Sequence, residues 1–124
     1  MWLFICYGDA SIRVFYLHKY GWSLMRKHTQ MLVNCAWLGE RLEDPRVRVI
    51  EVSSDVNGTA YHQGHISGAS FWFWKDTLWH ASDREFATPR EMGLHLGTLG
   101  ISQESTVVLY GDPVQYGTYA LWVL

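Results

Sequence analysis

Residues 61–69 read YHQGHISGA, a turn-rich segment that contains two glycines. Glycine accommodates backbone that bends sharply or approaches another group closely, so this segment is predicted to be a tight connection between regular elements. Residues 47–52 precede it as a compact, mostly β-branched run, which favours a strand. Residues 53–59 contain Asn57-Gly58 and are predicted to form the loop between the two.

Downstream of this segment, strand and helix signals alternate. Residues 70–74 are predicted to form a short strand, and Thr88 is predicted to begin a helix. Pro89 stands at the first helical position, and Glu91 completes a capping box with Thr88. Gly100 is the expected end of this helix, because glycine readily adopts the left-handed conformation that follows a helix.

The last part of the chain predicts a buried strand and an amphipathic helix. Residues 106–110, TVVLY, are an uninterrupted apolar run of the kind found in parallel strands buried on both faces. Apolar side chains then recur at helical spacing from Tyr116 to Leu124. A further short helix is expected to open at Asn34 or Cys35. This alternation predicts an α/β fold with a parallel sheet flanked by helices.

The chain has the length of one ordinary domain, and residues 31–124 are predicted to form it. Residues 1–30 are predicted to be an extension outside this domain, with no assigned structure or function. Their initial apolar run, residues 1–7, is too short to span a bilayer and lacks the basic start and cleavage site of a signal peptide. Because a parallel strand normally follows the last predicted helix, we expect the domain to be truncated before its last strand, with one side of the sheet exposed.

The composition is that of a globular protein, with 48% hydrophobic and 18% charged residues, which argues against disorder. A net charge of −2 offers no basic surface, so neither nucleic acid nor a membrane is an expected partner. The two cysteines, Cys6 and Cys35, are too few and too far apart to indicate a disulfide framework or a zinc site. A reducing, cytoplasmic location is therefore predicted.

The turn-rich segment also carries a motif. It resembles the first signature of the rhodanese family, which is close to Y-x-x-G-H-I-x-G-A. The matching residues are Tyr61, Gly64, His65, Ile66, Gly68 and Ala69. Further stretches, at positions 49–52, 74–75, 84–86, 99–101 and 106–112, are similar to the N-terminal domain of tandem thiosulfate or 3-mercaptopyruvate sulfurtransferases. The resemblance covers about residues 36–124.

This resemblance implies a five-stranded parallel sheet with helices on both faces. It also implies that a cysteine persulfide forms in a second rhodanese domain of the same protein, while the first domain is catalytically silent and closes the site around a small anionic sulfur donor. No cofactor is implied. The alternative is a non-enzymatic rhodanese-like module that docks to or regulates a partner. The chain departs from the family pattern at Ser53 and Phe73, which stand where acidic residues are common, and at residues 116–119, which are aromatic but not the usual residues.

The nucleophile of an active rhodanese follows the central strand, where the N-terminus of the next helix stabilises a thiolate. Here Gly111 occupies that position and has no side chain that can attack a donor. Asp112 adds a negative charge and is expected to cap the helix, while Pro113 has no N–H to donate. Phosphatases of the same fold need a cysteine and an arginine in this loop, and neither occurs between Gly111 and Tyr119.

Other patterns of reactive residues are given structural interpretations. Cys35 stands near a helix start, where thiols are activated, but that helix does not follow the central strand, so capping or packing is favoured over catalysis. His62 and His65 form an H-x-x-H pair within a glycine-rich turn, which favours a hydrogen-bonding role for His65 over a metal site. Asp55 and Asn57 lack the later ligands of a calcium loop.

Aromatic side chains cluster after the motif, at Phe71, Trp72, Phe73, Trp74 and Trp79. They are either ordinary core residues or, in part, an interface, since exposed aromatic side chains mark contact surfaces. The family resemblance implies that Trp74, Lys75 and Arg84 approach the second domain, with Asp112 a further candidate on the substrate side. Lys75 or Arg84 would then bind the anionic donor; the alternative for both is a solvated surface charge.

Overall fold

The computed structural model describes residues 2–6, 32–80, 82–83, 85–111 and 113–124. Within them, four parallel strands form one sheet in the order β1-β4-β2-β3. The strands are β1 (Trp2–Cys6), β2 (Val47–Ser53), β3 (Ser70–Phe73) and β4 (Thr106–Tyr110). The helices are α1 (Cys35–Gly39), α2 (Thr59–Gln63), α3 (Trp74–Leu78), α4 (Pro89–Thr98) and α5 (Gln115–Val123). The predicted α/β fold with a parallel sheet flanked by helices is confirmed.

Alternate side chains of the strands supply two separate cores. Ile50 of β2 and Leu109 of β4 are buried in the core that includes residues of α3, α4 and α5. Val49 and Val108, their neighbours along the same strands, are buried in the second core with Leu38 of α1. Successive side chains of a strand point to opposite faces, so β4 is buried on both. This explains why apolar and polar side chains do not alternate along residues 106–110.

The N-terminal apolar run forms β1, which the sequence did not predict. Its backbone lies parallel to β4, with Trp2 opposite Thr106 and Cys6 opposite Tyr110. Strand β2 pairs with the other side of β4. In the described structure β4 therefore has a neighbour on both sides, and its backbone groups are hydrogen-bonded within the sheet. We expected one side of the sheet to be exposed and did not predict that β1 pairs with β4.

The structure confirms the predicted cap of α4 and selects Asn34, one of the two residues expected to open the first helix, as the cap of α1. Asn34 Oδ1 accepts a hydrogen bond from the Trp37 N–H at 2.8 Å and begins α1. At α4, the Thr88 N–H donates to Glu91 Oε2 at 2.8 Å, while the Glu91 N–H donates to Thr88 Oγ1 at 3.3 Å. Gly100 follows this helix with a φ of +66°. These local hydrogen bonds fix where the helices start and end.

Two short helices differ from the sequence-based expectation. Residues 59–63 form α2 where a loop and turn were predicted, and Trp74 begins α3 where it was placed in a strand. The Asp55 carboxylate accepts hydrogen bonds from the Asn57 and Thr59 N–H groups at 2.9 and 2.8 Å, which orders the loop before α2. Hydrogen bonding to the Thr59 side chain, and then to these two N–H groups, lowers the pKa of Asp55. Within the described residues, no helix is long and apolar enough to cross a membrane.

Candidate functional site

The loop after β4 begins at Gly111, where the family resemblance puts the nucleophile. A Cβ atom built on Gly111 would lie 2.6 Å from the carbonyl oxygen of Val52 and 3.0 Å from the backbone nitrogen of Gly117. Both neighbours are backbone atoms, which cannot rotate away as a side chain can. Any side chain at this position, whether that of alanine or of cysteine, would therefore force the surrounding backbone to shift.

Gly117 of α5 is the other half of this close contact. A Cβ atom there would lie 3.2 Å from the carbonyl carbon of Tyr110 and 3.4 Å from the Gly111 nitrogen. The end of β4 and the first turns of α5 thus meet backbone to backbone, which small residues permit. The sequence reasoning did not single out Gly117, because its partner is recognisable only once β4 and α5 are packed together.

The N-terminus of α5 has a weak cap. Its N-cap residue is Val114, whose apolar side chain accepts no hydrogen bond, and the Tyr116 N–H donates to the Pro113 carbonyl at 3.2 Å. We expected Asp112 to cap this helix. Asp112 lies outside the described residues, so its capping role stays a prediction. As described, the loop carries neither a nucleophilic side chain nor a donor side chain at Gly111, Pro113 or Val114.

The rhodanese-like motif packs on itself. The His65 and Tyr61 rings stack with centroids 3.8 Å apart, and His65 Nδ1 donates to the Tyr61 carbonyl oxygen at 2.8 Å. The Tyr61 hydroxyl in turn donates to the Ala69 carbonyl at 2.7 Å. His65 is therefore engaged inside the turn. No group of three His, Cys, Asp or Glu side chains in the described ranges is arranged to hold a metal ion.

A polar pair, the buried Glu51 and the half-buried Tyr110, ties this motif to the sheet. The Tyr110 hydroxyl accepts a hydrogen bond from the Ile66 N–H at 3.2 Å and is hydrogen-bonded to Glu51, its neighbour in the β2–β4 register. Glu51 is only 4% exposed. Burial, and then the Glu51 carboxylate, raise the pKa of Tyr110 far above its ordinary value. The pair holds the motif turn at the end of β4, next to the Gly111 loop.

Of the five aromatic side chains that cluster after the motif, Trp72 is buried and the other four are half-buried, and their interface interpretation stays a prediction. Trp72 is buried in the core. Trp74 contacts the rings of Trp79, Tyr116 and Tyr119, with centroids 5.5–5.9 Å apart. Further out, Phe86 and Trp122 meet at 4.9 Å and are 38% and 71% exposed. We call the five linked side chains Trp74, Trp79, Phe86, Tyr119 and Trp122 the aromatic surface.

An open groove of about 890 Å³ lies between α3 and α4, beside the aromatic surface. The α3–α4 groove is lined by Trp74, Lys75, Asp76, Trp79, His80, Glu91, Leu94 and His95. Two of the sequence-predicted candidates, Trp74 and Lys75, are brought together here, and the Lys75 ammonium lies 5.5 Å from the centroid of the Trp74 ring. Arg84, the third, lies outside the described residues.

Cys35 lies in α1, which packs on the other core. It is a free, exposed thiol in the first turn of the five-residue helix α1, whose buried residue Leu38 belongs to the other core. Cys6 lies in β1, opposite Tyr110 in the register. Neither cysteine is in the loop after β4.

Comparison with known proteins finds relatives but no matching family model. The chain is 42% identical over 96 residues to the sulfur carrier protein TtuD of Thermus thermophilus. The matched stretch covers 77% of this chain and 33% of the relative. It is 36% identical over 98 residues to a Haloferax volcanii protein provisionally named thiosulfate sulfurtransferase, covering 74% and 34% of the two chains. A Mycobacterium leprae protein, SseA, is also provisionally named thiosulfate sulfurtransferase and is 35% identical over 97 residues. That match covers 77% of this chain and 32% of SseA.

These relatives support the rhodanese resemblance that the motif indicated. The match includes most of the described fold, since it covers about three quarters of this chain. The chain spans about a third of the length of the relatives it matches.

Proposed function

We propose that this chain is the catalytically silent first domain of a tandem sulfurtransferase. The parent protein would transfer sulfur from thiosulfate to a thiophilic acceptor such as cyanide, through a persulfide on a cysteine of a second rhodanese domain. The names of the relatives, a sulfur carrier and two thiosulfate sulfurtransferases, support sulfur transfer in general. The matched stretch is only 33% of TtuD, which is compatible with a further domain in proteins of this kind.

The observation that carries this proposal is the steric closure at Gly111. The Val52 carbonyl oxygen would lie 2.6 Å from any Cβ atom at that position. A persulfide cycle needs a cysteine whose sulfur reaches the donor and lies at a helix N-terminus. Position 111 accepts no side chain without a shift of the surrounding backbone, which supports placing the reactive sulfur elsewhere in the parent protein.

In the proposed reaction the thiolate of the second domain attacks the outer sulfur of thiosulfate. The sulfur–sulfur bond of the donor breaks and sulfite leaves, and cyanide then removes the sulfur as thiocyanate and regenerates the thiolate. This chain would supply one wall of the site. The exposed ammonium of Lys75, beside Trp74, is suited to a charge-assisted hydrogen bond with the anionic donor. A reducing cytoplasm would keep the reactive thiol available.

The isolated chain is expected to form no thiocyanate from thiosulfate and cyanide above the uncatalysed reaction, because it holds no thiol in the loop after β4. The measurement is thiocyanate production over time, with an active rhodanese as positive control. The same assay is run on the Cys6→Ala/Cys35→Ala double variant. Turnover that survives both substitutions would overturn the silent-domain proposal. Turnover that disappears with Cys35→Ala alone would also overturn it and make Cys35 the nucleophile.

One observation favours the alternative of a docking module without enzymatic activity. Trp122 is 71% exposed and contacts Phe86, so a large apolar pair faces solvent in the described structure. The two functions differ in what a longer protein containing this domain would do. Sulfur transfer requires thiosulfate-dependent turnover by that protein, whereas a docking module requires none.

A further inference from the structure

Strand β1 is joined to the sheet through one neighbour. Among the described strands it pairs with β4 alone, with Trp2 opposite Thr106 and Cys6 opposite Tyr110. Residues 7–34 separate it from α1 in the sequence, so no short connection holds it against the sheet. An edge strand with a single partner is a part of a fold that can detach while the rest stays folded.

Strand β4 is held in the sheet by more than β1. Its other side pairs with β2, where Thr106 lies opposite Val47. The side chains of Val107 and Leu109 are fully buried in one core, and that of Val108 is fully buried in the other. Detachment of β1 would therefore leave a row of unpaired backbone groups on a strand that is otherwise in place. Such an edge readily binds another strand.

The backbone directions along β4 show which groups face β1. The Thr106 N–H donates to the carbonyl oxygen of Arg46 at 2.7 Å, on the β2 side. Successive N–H groups of a strand point to opposite edges. The N–H groups of Val107 and Leu109 therefore face β1, whereas the N–H of Val108 faces β2.

The same reasoning orients the backbone of β1. Leu3 lies opposite Val107, and Ile5 lies opposite Leu109. In a parallel pair, a residue that faces the neighbouring strand exchanges hydrogen bonds with the residues on either side of the one opposite it. The N–H of Phe4 therefore points towards β4, and the N–H of Ile5 points away from it.

The connections of the fold direct a further strand to this same edge. The chain passes from β3 to β4 through α3 and α4, whose Leu78 and Met92 are buried in one core, and it moves across the sheet towards β1. Helix α5 packs on the same face of the sheet through Ala120. Crossovers between parallel strands share one hand. A parallel strand that followed α5 would thus lie on the side of β4 that β1 occupies.

We propose that the edge of β4 covered by β1 is an exchangeable strand-binding site. Strand β1, with the uncharged sequence WLFIC, occupies it in cis, and a separate apolar segment running parallel to β4 can replace β1 there. Main-chain hydrogen bonds supply the affinity, as in other cases of strand addition. Because β1 is part of the same chain, it competes at an effective concentration in the millimolar range. A free strand therefore binds well only when β1 is released.

Hydrogen exchange of the unmodified chain tests whether β1 detaches while the domain stays folded. The N–H groups of Val107 and Leu109 are expected to exchange at least about tenfold faster than that of Val108, after correction for intrinsic rates. All three side chains are fully buried, so side-chain exposure does not produce the difference. The measurement is amide exchange followed by NMR. Equal protection of the three groups, or faster exchange at Val108, would overturn the proposal.

A peptide with the sequence of residues 1–7, MWLFICY, tests whether a free strand takes the edge. It carries a dye and added C-terminal lysines for solubility, and its binding is measured by fluorescence anisotropy under reducing conditions. We expect it to bind the Phe4→Pro variant at least about tenfold more tightly than the unmodified chain, because proline removes an N–H that points to β4. Ile5→Pro is the matched control, since an edge strand tolerates proline where the N–H faces away.

Two methylated peptides decide whether the contacts are the proposed ones. Methylation of the peptide nitrogen at Phe4 is expected to weaken binding to the Phe4→Pro variant about tenfold, whereas methylation at Ile5 should leave it within about twofold. Equal binding of the two methylated peptides would contradict the proposed backbone contacts. Equal binding of the unmethylated peptide to the variant and the unmodified chain would contradict exchange at this edge. If Phe4→Pro does not fold, hydrogen exchange of the unmodified chain decides.

Discussion

The Gly111→Ala variant is expected to lose about 3 kcal/mol of unfolding free energy, the upper part of the range for overpacking a closed site. The added methyl group would lie 2.6 Å from the Val52 carbonyl oxygen, so β2, β4 or α5 would have to shift. The corresponding fall in melting temperature is about 10 °C, measured by circular dichroism. Gly97→Ala is the control, because a Cβ atom at Gly97 meets nothing within 4 Å and alanine favours the helix α4.

The same clash gives an expectation for Gly111→Cys. A thiol at this position should destabilise the fold at least as much as the alanine methyl group, and it should not produce sulfurtransferase activity. The steric account would be wrong if Gly111→Cys melted at the temperature of the unmodified chain. It would also be wrong if Gly111→Ala and Gly97→Ala had equal effects.

Removal of the Tyr110 hydroxyl is the second large effect that we expect. Tyr110→Phe leaves the buried Glu51 carboxylate and the Ile66 N–H without their shared partner, which costs about 1–3 kcal/mol. Equilibrium unfolding in urea measures the change. Tyr119→Phe is the control, since the ring of Tyr119 packs against Trp74 and Phe86. A loss no greater than that of Tyr119→Phe would contradict the role of the hydroxyl.

A double-variant cycle with Glu51→Gln isolates the Tyr110–Glu51 contact from the rest of their surroundings. We expect the two substitutions to be non-additive, because both remove the same hydrogen bond. The measurement is the unfolding free energy of the two single variants, the double variant and the unmodified chain. Additive losses would show that the two side chains act independently.

The raised pKa of Tyr110 predicts a loss of stability at alkaline pH. Its hydroxyl holds its proton more tightly in the folded chain than in the unfolded one. The stabilisation is therefore complete below the unfolded pKa of about 10 and is lost as the pH rises above it. Tyr110→Phe should have a flatter stability profile above about pH 10 than the unmodified chain. Identical profiles in this range would contradict the shift.

The parts of this fold that were predictable are those with local causes. The capping box of Thr88 and Glu91 depends on residues three positions apart, and the buried strand 106–110 on five consecutive side chains. Helices α2 and α3 have five residues each, too few for a helical period to be visible. Strand β1 gains its place from pairing with β4, at the far end of the chain, which no local pattern reveals.

The candidate site was predictable in the same uneven way. The motif at residues 61–69 indicated the family, and Gly111 was recognisable as a nucleophile position without a nucleophile. The clash at Gly111 was not recognisable, because it depends on Val52 and Gly117 from other elements. Likewise, Glu51 was an unexplained polar residue in an apolar strand until the register put Tyr110 beside it. The α3–α4 groove was not predictable either, because residues 74–79 and 91–95 are brought to its two sides only by the packing of the fold.

The backbone contact between Gly111 and Gly117 also bears on how this domain can evolve. The glycine codons GGU and GGC become cysteine codons through a single base change, so for a gene with either codon a cysteine at this position would be a short genetic step. In this chain the new side chain would meet backbone atoms of β2 and α5 before it met any substrate. The gain of a cysteine here would need a rebuilt loop first and the substitution second. The order of those two steps makes such a gain difficult by stepwise selection.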